Sequence, residues 1–375
     1  MKEIYFVESS YNPTAASTNR LFALGSQLVK RGFKVHFFYL IPDANHSVSD
    51  RFVNVFEFHY LWNKNSFKNK YLCTISSIYK LRTMMRPGIP VYVYSLLNCL
   101  FFIKKRGIHV FHEYTENPEV IGLINNIYGK INWKLYGKAV STIDGLFVIT
   151  PALKRYYENH FQISSDKIEV LNMVVDPERF DDYIGIKRDN IITYCGIISE
   201  RKDGISYLIK SFDIVHRAFP NYQLRIVGSF ENKETENAVM SLINELSLDS
   251  NIQITGPISP QKMPQLLCSS KILALARPNE KGNSYGFATK IGEYLMSEVP
   301  VVMTNVGNVT DYLTNGKDII LAEPNNIQDF SNKLLWVINN YAEAVCIGRE
   351  GRKTAIRYFN PKYEAEKIIK RVFEY

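Results

Sequence analysis

The chain has 375 residues, 46% of them hydrophobic and 22% charged, with a formal net charge of +8. That length exceeds what one core usually serves, so two domains are expected, and the composition leaves no room for long disordered tracts. No stretch reaches the ~18 apolar residues of a membrane span, residues 90–103 coming nearest, and the five cysteines, Cys73, Cys99, Cys195, Cys268 and Cys346, show neither paired metal spacing nor an even disulfide set, which fits a reducing compartment. Acids interrupt the apolar residues at the N-terminus, so the first segment reads as a strand rather than a signal peptide and a cytoplasmic protein is expected.

In chain order, the apolar runs at 4–7, 35–40 and 53–58 read as strands. A helix over 17–31 separates the first two, with Leu21, Leu24 and Leu28 on one face. Two helical stretches flank 87–90, a short strand follows at 110–112, and helix returns over 127–143. Residues 145–149, 152–160 and 168–171 read as strand, helix and strand, and a polar, strand-poor linker is expected at 176–189. The second half repeats the pattern: strands at 191–195, 223–227, 252–255 and 272–276 alternate with helices at 205–219, 238–246 and 260–270. Beyond 302 come a strand at 319–321 and helices at 328–338, around 343–358 and at 361–373. Such βαβ alternation predicts an α/β protein with doubly wound parallel sheets. The expected division is an N-terminal domain over 1–180, a C-terminal domain over 190–355, and a helix over 356–375 crossing back to the first. Two such domains facing across a cleft at the carboxyl ends of their strands suit a two-substrate transfer.

The stretch Ser284-Tyr-Gly-Phe-Ala-Thr-Lys-Ile-Gly-Glu293, continuing to a Pro-Val-Val strand that ends at Val302, reads as a glycine-containing loop, a helix and a strand. A loop opening a helix offers backbone N–H groups and a positive dipole end, which is what a diphosphate needs. Lys290 adds a cation in the first turn, and Glu293 a carboxylate able to accept from sugar hydroxyls. The same residues also fit a plain helix–sheet unit in which Gly286 merely permits a turn. In Tyr194-Cys-Gly-Ile-Ile-Ser-Glu-Arg-Lys-Asp-Gly204, a strand and a glycine turn deliver Lys202 just before a helix. It is placed to reach a phosphate, or else Arg201 or Lys202 forms a solvated pair with Asp203.

Together these two stretches resemble the nucleotide-sugar-binding domain of the retaining glycosyltransferases of family 4, the group 1 transferases with two Rossmann-like domains (the GT-B fold). That family carries Gly-x-x-Ser-x-x-Lys-x-Gly, then a helix and a strand ending in Val-Gly (here Ile226-Val-Gly228), and later Gly-Phe-x-x-x-x-x-Glu and a Pro-Val-Val strand. The first half is similar too, through Phe111-His-Glu-Tyr-Thr-Glu-Asn-Pro118, Phe147-Val-Ile-Thr150 and Val170-Leu-Asn-Met-Val-Val-Asp176. The resemblance implies that Glu293 holds the donor's ribose hydroxyls and that Lys202 binds its diphosphate. Backbone groups around Tyr285, Gly286 and Phe287 would cradle the phosphates and the transferred sugar, with Ser284 and Gly196 completing the donor side. Arg277 and Lys290 join on physical grounds, as cations at a strand end and a helix start, where arginine can fork onto phosphate oxygens. His112 is placed like the family's histidine beside the reacting sugar and is the catalytic candidate, or else a structural residue. Glu113 and Glu116 are the acceptor-binding candidates.

Three positions depart from the family pattern. Tyr285 stands where relatives carry a glutamate that contacts the sugar, Ile197 stands where they carry an arginine, and Thr14-Ala-Ala-Ser17 replaces a glycine pair. No Asp-x-Asp pair ends a strand, so no metal and no cofactor are expected: cations and helix starts would stabilise the leaving diphosphate. The chemistry implied is transfer with retained anomeric configuration, from a UDP- or GDP-linked sugar to a glycan or polyprenyl-diphosphate-linked acceptor in surface-polysaccharide assembly. The alternatives are a non-catalytic sugar-nucleotide-binding partner subunit and a nucleotide-sugar epimerase.

The charge is uneven. No acid lies between Glu57 and Glu113, while Lys64, Lys68, Lys70, Lys80, Arg82, Arg86, Lys104, Lys105 and Arg106 do, interleaved with aromatics. Residues 60–106 therefore suit an anionic membrane surface, the inner face of the plasma membrane, unless they are ordinary solvated helix faces. No nucleic-acid-binding motif accompanies them.

Overall fold

A computed structural model of the chain describes residues 2–13, 15–42, 50–62, 70–96, 100–104, 106–117, 127–280, 283 and 285–374. The chain divides into two units, Met1–Val174 with Pro361–Tyr375, and Val175–Asn360. Both are α/β.

In the first unit, short runs rich in aromatic and β-branched residues supply seven parallel strands. They are β1 (Glu3–Glu8), β2 (Lys34–Tyr39), β3 (Glu57–Tyr60), β4 (Val91–Tyr94), β5 (Val110–Tyr114), β6 (Gly145–Val148) and β7 (Ile168–Val170). Their order across the sheet is β3-β2-β1-β4-β5-β6-β7. Most strand residues on both faces are buried, as helices covering a parallel sheet require. The helix Ala16–Val29 turns Leu21, Leu24 and Leu28 into the core with Ile4, Phe6, Phe37, Tyr92 and Phe147. The terminal helix Pro361–Phe373 adds Ala365, Ile368 and Val372 to that same core.

Two elements differ from the reading of the sequence. Residues 53–58, expected as a strand, contain the end of the helix Asp50–Val53, and β3 begins only at Glu57. After Pro90, expected to open a helical stretch, comes β4, with a short helix at Leu100–Ile103. The physical reason is visible in Val91-Tyr-Val-Tyr94: alternating β-branched and aromatic side chains fit a pleated, buried surface better than a helix.

The second unit has six parallel strands. These are β8 (Asp189–Cys195), β9 (Gln223–Val227), β10 (Ile252–Gly256), β11 (Ser270–Leu275), β12 (Val301–Thr304) and β13 (Ile320–Ala322), in the order β10-β9-β8-β11-β12-β13. Counted from its own first strand, that is 3-2-1-4-5-6, the arrangement of dinucleotide-binding sheets, whose strand order reverses between the first and fourth strands. Here the reversal falls between β8 and β11, so chain leaving those two strands at their carboxyl ends diverges and opens a crevice. Buried stripes of the helices Ile205–Ala218 and Ile327–Asn339 cover the sheet, through Leu208, Phe212 and Val215, and through Phe330, Leu334 and Val337.

Candidate active site

The carboxyl ends of β8 and β11 bring the donor-side residues together. Beyond β8 the chain turns at Gly196. A Cβ there would run into Lys290 Nζ, so the lysine lies directly on the turn. The short helix Glu200–Asp203 follows, capped by Ser199, whose Oγ accepts from Lys202 N at 3.2 Å. It stops at Gly204, with φ at +60°, and a Cβ on that residue would strike the carbonyl oxygen of Ala276. Glycine is therefore required here twice over, by conformation and by the closeness of the β11 exit.

Across that contact, the carbonyl of Lys202 accepts from Arg277 Nε at 3.1 Å and from Asn283 Nδ2 at 3.4 Å. Arg277 Nη2 also donates to Asn283 Oδ1 at 2.6 Å. The loop after β11 is thus fastened to the turn after β8 by one arginine and one asparagine.

Asp203 is the acid at the centre. Its carboxylate pairs with Lys290 Nζ at 2.5 Å and with Arg277 Nε at 3.5 Å, and it accepts from Tyr194 OH at 2.8 Å. Burial pushes this carboxyl up, but Lys290 and Arg277 outweigh it and hold the group below the usual carboxylate range. Burial pulls the Lys290 ammonium and the Arg277 guanidinium below their ordinary values, against the opposing pull of Asp203. Two cations share one acid, so the cluster keeps an excess positive charge beside half-buried Lys202.

Glu293 lies one turn beyond Lys290 in the helix Lys290–Met296. Its Oε1 accepts from Arg179 Nη1 at 2.5 Å, and Arg179 Nη2 donates to the Pro260 carbonyl at 2.9 Å. The neighbouring Cys195 thiol is pushed up to about 12, first by burial and then by the Glu293 charge. It is therefore an uncharged thiol.

The loop that precedes this helix is set from below. The Phe287 ring meets Tyr312 and Phe359 at centroid distances of 5.6 and 5.3 Å, which anchors the loop at that side chain. Ser284 lies outside the described residues. The side chain of Ile197 is 56% exposed.

On the N-terminal unit, His112 of β5 is wholly buried. Its Nδ1 donates to the Val93 carbonyl at 3.1 Å, which leaves Nε2 to accept from Tyr136 OH at 3.1 Å; Tyr136 OH in turn lies 2.8 Å from Tyr157 OH. Burial pulls the imidazole down to about 4, so the ring is neutral. Glu113 is equally buried. Its Oε1 accepts from Arg20 Nε at 2.6 Å and its Oε2 from Tyr92 OH at 2.5 Å, while Arg20 also donates to the carbonyls of Asn172 and Leu171. Glu116 is exposed just past β5. Two shallow depressions contain no donor-side candidate: one includes Arg106, His109 and Asp144, the other Thr310, Asn315 and Asp329.

Of the residues read from the sequence, Arg277, Lys290 and the Lys202 backbone lie here; Asp203, read as a solvated partner of its neighbouring cations, is buried and pairs with Lys290 and Arg277, while Arg179, Asn283 and Tyr194 were not singled out. An aspartate between a lysine and a helix-opening glycine was a usable signal for Asp203. Arg179 carried none, lying 114 residues from its partner.

The comparisons with known proteins bear on the whole arrangement. Residues 17–179 match the family model described as Glycosyltransferase Family 4, and residues 177–354 match Glycosyl transferases group 1. An uncharacterized glycosyltransferase of Methanocaldococcus jannaschii, MJ1059, is 26% identical over 64% of this chain and 61% of its own length. The capsular polysaccharide biosynthesis glycosyltransferase CapM of Staphylococcus aureus is 26% identical over 55% of this chain and 52% of its own. The chain thus spans between half and two thirds of those two relatives. Among solved structures, a mutant of S. aureus TarM, in complex with fondaparinux, alpha-GlcNAc-glycerol and UDP, superposes with a TM-score of 0.78 at 13% identity, covering 99% of each chain. The two matches leave few residues outside them: the chain belongs to the group 1, family 4 glycosyltransferases.

Proposed function

We propose that this enzyme is a retaining, metal-independent hexosyltransferase that moves a sugar from a UDP- or GDP-linked donor to a hydroxyl of a glycan or polyprenyl-diphosphate-linked acceptor in surface-polysaccharide biosynthesis. One observation carries the reading: beside the Gly196 turn, Lys290 and Arg277 pair with Asp203 and the Lys202 carbonyl accepts from Arg277, at the carboxyl ends of β8 and β11, with Glu293 on the helix that Lys290 opens. In this reading Lys202 and the backbone from Tyr285 to Phe287 take the diphosphate. The positive excess around Asp203 supports it, and Glu293 Oε2 accepts from the ribose. UDP in a structural relative and the capsular role of CapM support a uridine donor and a polysaccharide product.

In the reaction the bond from the anomeric carbon to the phosphate oxygen breaks, and the acceptor oxygen bonds that carbon on the same face. The acceptor's hydroxyl proton passes to the departing phosphate, whose new negative charge the cations stabilise. No side-chain nucleophile is needed. On the acceptor side, the neutral His112 ring, with both nitrogens engaged, fits shaping of the sugar end rather than proton transfer. Glu113 fits a support for β4 and β5, and exposed Glu116 a contact with the acceptor. The basic stretch 60–106 fits attachment of the cytoplasmic protein to an anionic membrane face.

The test is release of nucleoside diphosphate from a panel of nucleotide sugars, with and without glycan acceptors. A transferase hydrolyses its donor slowly. Return of an altered sugar nucleotide would make the protein an epimerase, and binding without turnover a partner subunit, which exposed Ile197 at an arginine position would favour. Glu293→Ala should weaken donor binding about 10- to 100-fold, the cost of losing hydrogen bonds to a charged group, with the far-UV spectrum unchanged. Unaltered affinity by calorimetry refutes that role.

A further inference from the structure

Among the described residues, one group of His, Cys, Asp and Glu side chains brings three donor atoms of metal-ligating type within 4.8 Å of one another: His36, Glu57 and His59. It lies in the N-terminal unit, on strands that carry none of the donor-side candidates, and rests on no reading of the active site.

The group is a product of strand register. β2 pairs with β3 in parallel with His36 opposite Glu57 and Phe38 opposite His59, so residues two apart on each strand share one face. β3 is the edge of the sheet. The Phe38 ring stacks on the His59 imidazole at 4.4 Å and 15°, which fixes that ring's plane.

The donor atoms form a tight triangle. His36 Nδ1 lies 3.1 Å from His59 Nε2 and 3.1 Å from Glu57 Oε2, and the third side is 4.0 Å. The point equidistant from the corners of such a triangle is about 2.0 Å from each, which is the bond length of zinc to imidazole nitrogen or carboxylate oxygen. His36 Nε2 sits 3.0 Å from Glu3 Oε2. A carboxylate on the far nitrogen of a ligating histidine is the usual outer support of a metal site: it fixes the tautomer and raises the ligand's basicity. With the proton on Nε2, Nδ1 is an acceptor facing the Glu57 carboxylate, also an acceptor. Something positive belongs between them. The other Glu57 oxygen, Oε1, is held by Lys34 Nζ at 2.6 Å, which points Oε2 inward.

We propose that His36 Nδ1, His59 Nε2 and Glu57 Oε2 bind one divalent cation of the zinc class, with Glu3 as outer-shell support and solvent completing the coordination on the side where Glu57 is exposed. Two imidazoles and one carboxylate suit zinc(II) and its neighbours better than the oxygen-seeking calcium or magnesium. The ion would tie the edge strand β3 to β2, a structural role apart from sugar transfer.

The rival is an imidazolium: His36 doubly protonated between Glu3 and Glu57, with no metal. Protein stripped with a chelator and titrated with zinc(II) and cobalt(II) separates the two. The expected result is one equivalent of zinc(II) bound, a cobalt(II) spectrum of tetrahedral intensity, and a melting temperature that rises with zinc and falls on chelation. The Glu57→Gln/His59→Gln double variant, altered only at side chains that reach solvent, should lose that equivalent while keeping its far-UV spectrum. Glu3→Gln should weaken zinc binding about 10- to 100-fold. No saturable binding, or equal binding by the double variant, overturns the proposal; so does a His36 ring that NMR shows as an imidazolium in the presence of zinc.

Discussion

At the carboxyl end of β1 the Glu8 side chain is 5% exposed, and its Oε2 has no hydrogen-bond partner among the described residues. Burial raises this carboxyl from 4.5 to about 7, with a Ser17 hydrogen bond opposing and the Glu113 charge assisting. An acid with a raised native pKa binds its proton more tightly folded than unfolded. Its contribution is therefore complete at low pH and is lost as pH climbs from about 4.5 through 7. At roughly 1.4 kcal/mol per unit, the ceiling is ~3 kcal/mol. Glu8→Gln keeps the shape and removes the titration. Urea unfolding at pH 5 and pH 8 should show the wild type losing up to ~3 kcal/mol more than the variant between them; identical pH dependence would refute the assignment. The reach of the sequence at this scale is uneven in the same way. The places of Lys202, Arg277, Lys290 and Glu293 at strand ends and in short helices were legible, because such places dictate where cations and hydroxyl acceptors are useful. Asp203 between its two cations, Arg179 on Glu293, and Arg20 on Glu113 were not. Each pairs residues 74 to 114 positions apart, and charge alone does not reveal which distant partner the fold will deliver.

Elements were legible where a single period ran cleanly. Strand Gln223–Val227 and the terminal helix Pro361–Phe373 fall where alternation and amphipathic spacing put them. Reading failed where an apolar run served both periods, as in 90–103, because a buried strand and a buried helix turn look alike over a few residues. The basic stretch poses the related question of what an exposed helix face is for. The helix Lys70–Met84 leaves Ile75 65% and Tyr79 73% exposed, one turn apart and beside exposed Lys80. The helix Ile127–Thr142 likewise exposes Ile131 and Leu135 among exposed Lys130, Lys134 and Lys138. No helix among the described residues is long and apolar enough to cross a membrane, but paired apolar side chains ringed by lysine suit the interface of an anionic bilayer. Vesicles containing phosphatidylglycerol should carry the protein down in low salt. The Ile75→Ser/Tyr79→Ser variant should co-sediment several-fold less, each lost apolar side chain being worth about 1 to 2 kcal/mol of partitioning. Equal sedimentation of both, or none of the wild type, removes this helix from the membrane surface.

Over the whole molecule, the two units differ in how the chain closes them. Val175–Asn360 is one continuous segment, while the first unit needs both ends of the sequence. Its last contribution is the helix Pro361–Phe373, which buries Ala365, Ile368 and Val372 in the N-terminal core. Glu364, 2% exposed, accepts from the Asn172 N–H at 2.9 Å, and Lys367 Nζ donates to the Val170 carbonyl at 3.0 Å. Removing the helix takes those apolar side chains out of the core and uncovers the surface they cover. At about 1.5 to 3 kcal/mol for each buried isoleucine or valine, the loss is roughly 5 kcal/mol. Domain stabilities run to about 5–15 kcal/mol in total. Residues 175–360 made alone should therefore unfold cooperatively and, with the donor cluster intact, bind UDP. Residues 1–174 made alone should be largely unfolded or aggregated, and a synthetic 361–375 peptide should restore cooperative melting to them. A fragment 1–174 that melts as sharply without the peptide as with it would mean that the terminal helix merely lies on a unit already complete.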